Sequence, residues 1–189
     1  LPNPSWVSYE PQAKILQKKI YWINANAKSN WHITAKEFDL ICKKSKNKNK
    51  LLILNSPNNP SGTIHKNLKS IAKVAKKNNV IILSDEIYCE LDFSGKYKSI
   101  SHFYPEGTII SSGISKWCGA GGWRLGALIF PKELVNIKNI LRNIVSETFT
   151  SVSAPIQFAA VKAYSQDHSK YLSASRLILE AIGNYIFIE

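Results

Sequence analysis

Apolar residues fall along this chain in two alternating rhythms. Short, nearly continuous apolar runs occur at Lys19–Asn24, Leu51–Leu54, Val80–Ser84, Thr108–Ser112 and Gly126–Phe130. Their β-branched content and length predict strands, and their continuity predicts cover on both faces. Between them the spacing changes to that of helices. Thr34, with Glu37 three residues on, predicts a capping box that opens a helix. Leu68, Ile71, Val74 and Ala75 recur at helical spacing within Asn67–Asn78, with lysines on the opposite side. Pro131 fits the first turn of a helix running to about Val145, and Pro155 opens another through Ala163. A last helical pattern covers Ser169–Phe187. Strands alternating with helices predict an α/β fold, a three-layer α/β/α sandwich on a mostly parallel central sheet. Ligands of such sheets bind at the carboxyl ends of the strands, so chemistry is expected just after each run.

Composition narrows this picture. The 189 residues are 44% hydrophobic and 11% aromatic, enough for a packed core and unlike a disordered chain. No run of ~18 apolar residues occurs, so no membrane helix is expected. The chain begins with Leu1 and contains no methionine, which is the mark of a processed, trimmed or partial sequence. A formal net charge of +12 invites a nucleic-acid reading. However, only Arg124, Arg142 and Arg176 are arginines, and the densest run, Lys43–Lys50, has no interleaved aromatics to stack on bases. It reads as a solvated loop after a helix, and no nucleic-acid partner is expected. Cys42, Cys89 and Cys118 form no CxxC pair, and the four histidines have no ligand spacing. Neither a disulfide framework nor a metal site is expected, and a reducing, cytoplasmic setting is.

Three strand ends carry unusual residues. Leu51–Leu54 is followed by a turn through Asn55 and on to Asn59, Pro60, Ser61 and Gly62. Val80–Ser84 is followed by Asp85, Glu86, Ile87 and Tyr88. An aspartate at the end of a buried strand needs a partner, whether a helix end, an ion pair or a ligand. Thr108–Ser112 is followed by Gly113, Ile114, Ser115 and Lys116, and then by a small-residue loop to Arg124 and Gly126. The loop glycines permit close backbone approach to a ligand. A lysine at such a site, partly desolvated and near another cation, has a lowered pKa and can form a Schiff base.

The stretch Gly113–Gly126 resembles the lysine-attachment signature of class I/II pyridoxal-phosphate-dependent aminotransferases, the aspartate aminotransferase fold type. Asn59-Pro-Ser-Gly resembles that family's Asn-Pro-(Thr/Ser)-Gly motif, and Asp85-Glu-Ile-Tyr88 its Asp-x-x-Tyr motif. Order and spacing match as well, from about Leu1 to Ala163. The resemblance implies that pyridoxal 5'-phosphate is the cofactor and that Lys116 forms a Schiff base with it, then moves a proton. It implies that Asp85 pairs with the pyridine nitrogen and that Tyr88 and Asn59 hydrogen-bond the phenolic oxygen. Arg124 would bind the phosphate. The position where many relatives carry a phosphate-binding serine is Gly113 here, so Ser112 or Ser115 is the expected substitute. Trp6 aligns with the aromatic residue that stacks on the cofactor ring, and Asn59–Pro60 with a peptide that is cis in relatives.

The family's chains are roughly twice this length. Residues 1–165 would therefore be the central and C-terminal portion of the large cofactor-binding domain, and residues 166–189 the start of the helix leading to a small domain. The implied reaction moves an amino group between an amino acid and a 2-oxo acid, in a homodimer when full length. Weak or no transaminase activity is expected of this stretch alone. Other reactions on the same scaffold remain open, such as a C–S lyase or a cyclopropane-carboxylate synthase. So does an aminotransferase-like sensor domain of a transcription regulator. A non-catalytic homologue is disfavoured by the intact Lys116, Asp85, Tyr88, Asn59 and Arg124.

Overall fold

The computed structural model describes residues 1–45 and 49–188. Its main sheet has four strands, β3 (Lys50–Asn55), β4 (Val80–Asp85), β5 (Thr108–Gly113) and β6 (Gly126–Ile129), in that spatial order. The first three are parallel and β6 runs antiparallel to β5. A separate parallel pair, β1 (Pro2–Asn3) and β2 (Ile23–Asn24), lies apart from this sheet. Of the expected strand Lys19–Asn24, only the last two residues pair, because the partner β1 offers only two. Upstream of that pair the N-terminal amine donates to the Tyr21 carbonyl (2.9 Å).

The predicted helices are present. Helix α2 (Ala35–Lys44) begins at the capping box read from sequence: Thr34 Oγ1 accepts from the Glu37 amide (3.1 Å) and Glu37 Oε2 from the Thr34 amide (3.4 Å). Helix α3 (Leu68–Lys77) is flanked by Asn67 and Asn78, both of which bond across to other segments. Asn67 Nδ2 donates to the Ile33 carbonyl (2.8 Å) and Asn78 Nδ2 to Asp39 Oδ1 (3.1 Å). Helix α4 (Val135–Thr148) follows a 3-10 turn at Lys132–Leu134, so Pro131 precedes the helix instead of occupying its first turn. Helix α5 (Ala154–Ser165) has its proline in the first turn, and α6 (Ser169–Ile188) closes the described chain. A further short helix, α1 (Tyr9–Ile15), was not evident from the pattern. It has only seven residues and contains Pro11, which hides its periodicity.

The principal core lies between the sheet and helices α2 and α3. Leu52, Leu54, Val80 and Ile82 meet Phe38, Cys42, Ile71 and Ala75 there. The sheet residues facing the other way, Ile81 and Leu83, are only half-buried. The cover expected on both faces is uneven: β4 alternates buried and half-buried along its whole length. A second, smaller cluster joins Ile114, Trp117 and Ala120 to Ile156 and Ala163 of α5 and Leu172 of α6. It holds the loop after β5. The lysine-rich run lies partly outside the described residues. Within them, Lys43 closes the last turn of α2 with an ion pair to Asp39 (2.7 Å), and Lys50 opens β3.

Candidate active site

Parallel register brings the strand ends together. Asn55 is paired with Asp85, and Asp85 with Ser111, so three neighbouring strands finish at one edge. That edge is stitched across the sheet. Asn55 Nδ2 donates to the Asp85 carbonyl (2.9 Å), and the Asn59 amide donates to Asn55 Oδ1 (2.7 Å). Asn55 thereby fixes the turn that carries Asn59. The Ser56–Pro57 and Asn59–Pro60 peptides in this turn are cis, the second as the resemblance implied.

Four of the residues singled out in the sequence converge here. Asn59 Nδ2 donates to Tyr88 Oη (3.4 Å). The Lys116 ammonium lies 5.4 Å from the centroid of the Tyr88 ring. Asp85 stands at the end of β4, three residues before Tyr88, with Oδ1 accepting from the Ile87 amide (3.3 Å). Lys116 reaches outward because its neighbours are pinned inward. Ile114 and Trp117 are buried on either side of it. The Trp117 ring packs against Tyr164 and His168, with centroids 5.6 and 5.5 Å away. The result is an exposed amine on a loop that a small core holds in place.

The glycines of this loop have identifiable duties. At Gly113 an added Cβ would lie 2.7 Å from the Leu125 carbonyl oxygen and 3.1 Å from Gly126 Cα. No serine fits there without moving the β5–β6 ladder. Gly119 has φ +65°, a left-handed backbone open to glycine at little cost. Ser112 and Ser115 are both half-buried at the same strand end.

Arg124 and Trp6 are held by other contacts. Arg124 is exposed, in a left-handed backbone conformation (φ 55°), and its Nη1 donates to the Gly121 carbonyl within its own loop (2.6 Å). Trp6 is 40% exposed and meets the Tyr9 ring edge-on, with centroids 5.3 Å apart at 84°. The sequence reading missed Tyr9, whose Oη donates to Asp85 Oδ2 at 2.5 Å. Burial first, and the Asp85 hydrogen bond second, push its phenol well above the usual tyrosine range. The signal was present in Trp6-Val-Ser-Tyr9, but only the fold shows which carboxylate the hydroxyl meets.

The α/β sheet thus carries an exposed lysine after β5, near an asparagine–tyrosine pair and an aspartate. The chain belongs to the family described as aminotransferase class I and II, whose profile matches residues 1–185. It is 34% identical over 171 residues to an aspartate aminotransferase of Bacillus sp. (strain YM-2), covering 87% of this chain and 42% of that protein. It is 32% identical over 169 residues to an asparagine–oxo-acid transaminase of Streptococcus mutans, covering 86% and 42%. Among solved structures, a Pyrococcus protein titled protein-A1 superposes with a TM-score of 0.85 at 27% identity, over 98% of this chain and 48% of that one. The Thermotoga maritima aspartate aminotransferase superposes at 0.79 with 28% identity, over 90% and 45%. The chain therefore spans less than half the length of the relatives it matches. Among the described residues no helix is long and apolar enough to cross a membrane, and no group of three or more acidic, histidine or cysteine residues could hold a metal.

Proposed function

We propose that this chain is the lysine-bearing part of a pyridoxal 5'-phosphate-dependent transaminase that moves an amino group between an amino acid and a 2-oxo acid. The observation that carries this reading is the convergence of Lys116, Tyr88 and Asn59 at the strand edge that also ends in Asp85. The donor set fits the group. It offers an outward amine, a hydroxyl and amide side by side, a carboxylate held by its own hydrogen bonds, and small residues between them. When bound, the cofactor supplies an electron sink for bond breaking at the substrate's α-carbon. The protein's residues supply the rest. Lys116 would hold the cofactor and, as a free amine, would be placed to carry a proton. Asp85 would pair with the ring nitrogen and favour its protonated form. Tyr88 and Asn59 would donate to the phenolic oxygen. Arg124, Ser112 and Ser115 would take the phosphate, Arg124 after turning from the Gly121 carbonyl, and Trp6 would cover the ring.

The same reading assigns residues 1–165 to the large domain and 166–189 to the helix leading out of it. It carries a homodimer for the whole polypeptide and a cytoplasmic location, the latter in keeping with three free cysteines. The test is chemical. The polypeptide as its gene encodes it is loaded with pyridoxal phosphate, reduced with borohydride, digested and mapped. Label on Lys116 is expected. Label on another lysine, or none, would refute the proposal.

A further inference from the structure

Tyr9 lies 76 residues before Asp85 in sequence, on the first turn of α1, yet its hydroxyl makes a 2.5 Å hydrogen bond to Asp85 Oδ2. It is 5% exposed, while its neighbours Trp6 and Val7 are 40% and 80% exposed. A residue buried this deeply just after two exposed ones is placed by its contacts. Two contacts matter: the hydroxyl on Asp85, and the T-shaped packing of the ring with Trp6. We propose that Tyr9 is a positioning residue of this site, setting the direction and acceptor strength of the Asp85 carboxylate while its ring braces Trp6. The inference rests on the function proposed above.

Each oxygen of an ionised carboxylate can accept about two hydrogen bonds. Oδ1 takes one from the Ile87 amide at 3.3 Å, a long bond, and Oδ2 takes one from Tyr9. The Tyr9 bond is therefore the shorter of the two that orient this side chain. Bonds to an ionised acceptor are also roughly twice as strong as neutral ones. A buried phenol held against a carboxylate keeps its proton, so Tyr9 stays a donor throughout the working pH range. A donor on Oδ2 withdraws electron density from the carboxylate and leaves one acceptor site per oxygen for a second partner. Removing the hydroxyl would leave a half-buried carboxylate that is less fixed and held by one long bond.

Tyr9→Phe keeps the ring against Trp6 and removes only the hydroxyl, so it isolates the effect on Asp85. In the polypeptide as its gene encodes it, borohydride should still fix pyridoxal phosphate to Lys116 in this variant. Turnover should fall roughly 10- to 100-fold with KM changed less than about twofold, as for loss of an interaction that acts on the chemical step. The visible absorption of the bound cofactor should shift. In the cofactor-free protein the 13Cγ resonance of Asp85 should move on the same substitution. That last readout does not depend on the transaminase reading: absence of label on Lys116 would sink the reading, whereas an unmoved Asp85 resonance would sink the role of Tyr9. Turnover per bound cofactor unchanged, with only a lower melting temperature, would also overturn it and leave a structural tyrosine. Should Tyr9→Phe fail to fold, Asp85→Asn with the Tyr9 13Cζ resonance as readout takes its place, and an unmoved signal there is equally decisive.

Discussion

Ile82 and Ile129 are the same residue type, two strands apart in one sheet, yet the first is 0% exposed and the second 57%. The contrast extends to everything around them. Helix α2 is capped by a reciprocal side-chain pair and buries Phe38 and Cys42, and α3 buries four residues. Helix α4 has Leu134 at its N-cap with no side-chain bond and buries nothing. Ala160 is the one buried residue of α5, all of β6 is exposed, and Leu177, Ile178, Ile182 and Ile186 of α6 are exposed too. Between β6, α4 and α5 lies an open groove of about 1000 Å³ lined by Leu128, Phe130, Leu141, Val145 and Val161. An apolar surface of this extent is the mark of an interface, not of a face built for water. The difference teaches that apolar spacing alone does not bury a residue; a partner element must arrive. Here α2 and α3 are that partner for one half. For the other, the relatives carry more than half of their length beyond the matched stretch.

Breaking this comparison calls first for core truncation. Ile82→Ala should cost about 2–5 kcal/mol in urea unfolding, because it leaves a cavity among close-packed neighbours. Ile129→Ala on β6 should change stability by less than about 0.5 kcal/mol. Similar costs at both positions would mean that the β6 face is covered in solution and that the contrast is false.

A second prediction sharpens the buried half through pH. His65 is 3% exposed, its Nδ1 has no hydrogen-bond partner, and its ring centroid lies 5.1 Å from that of His32. Burial, with the neighbouring His32 second, lowers its pKa from the usual 6.5 to about 4. Between those values the unfolded chain binds a proton that the native chain refuses. Stability is therefore complete above about pH 6.5 and declines as the pH falls toward 4, by up to about 3 kcal/mol. His32, also shifted down by burial, acts in the same direction. Urea midpoints of His65→Leu should lose most of this slope, and an unchanged slope would move the acid sensitivity elsewhere.

The smallest effect concerns the caps. Thr34→Ala removes one half of the capping box on α2 and should cost about 1 kcal/mol. Thermal unfolding reads it directly. No loss would show that α2 is held by Phe38 and Cys42 without help from its cap.

Much of the fold was legible because its signals are local. The strands of the main sheet and helices α2 to α6 declare themselves within windows of ten or so residues through spacing, prolines and the Thr34–Glu37 pair. Asn59, Asp85, Tyr88 and Lys116 were legible for a related reason. Asp85 ends β4, the other three lie within four residues of a strand's last residue, and parallel strands deliver their ends to one edge. Helix α1 was not legible, being shorter than two helical turns and carrying a proline. The antiparallel return of β6 was not legible either, since strand direction leaves no trace in a four-residue run.

The sequence by itself determined the alternation of strands and helices, the order of the motif residues, and which side chains could do chemistry. The tertiary structure decided what those side chains touch. It set Tyr9 on Asp85 across 76 positions, pressed Leu125 so close to Gly113 that only glycine fits, turned Arg124 back on Gly121, and left Ile129 bare where Ile82 is sealed. The reason is physical. Propensity and spacing act between residues a turn or two apart, whereas burial, hydrogen-bond partners and steric room come from segments that meet only after the chain has folded.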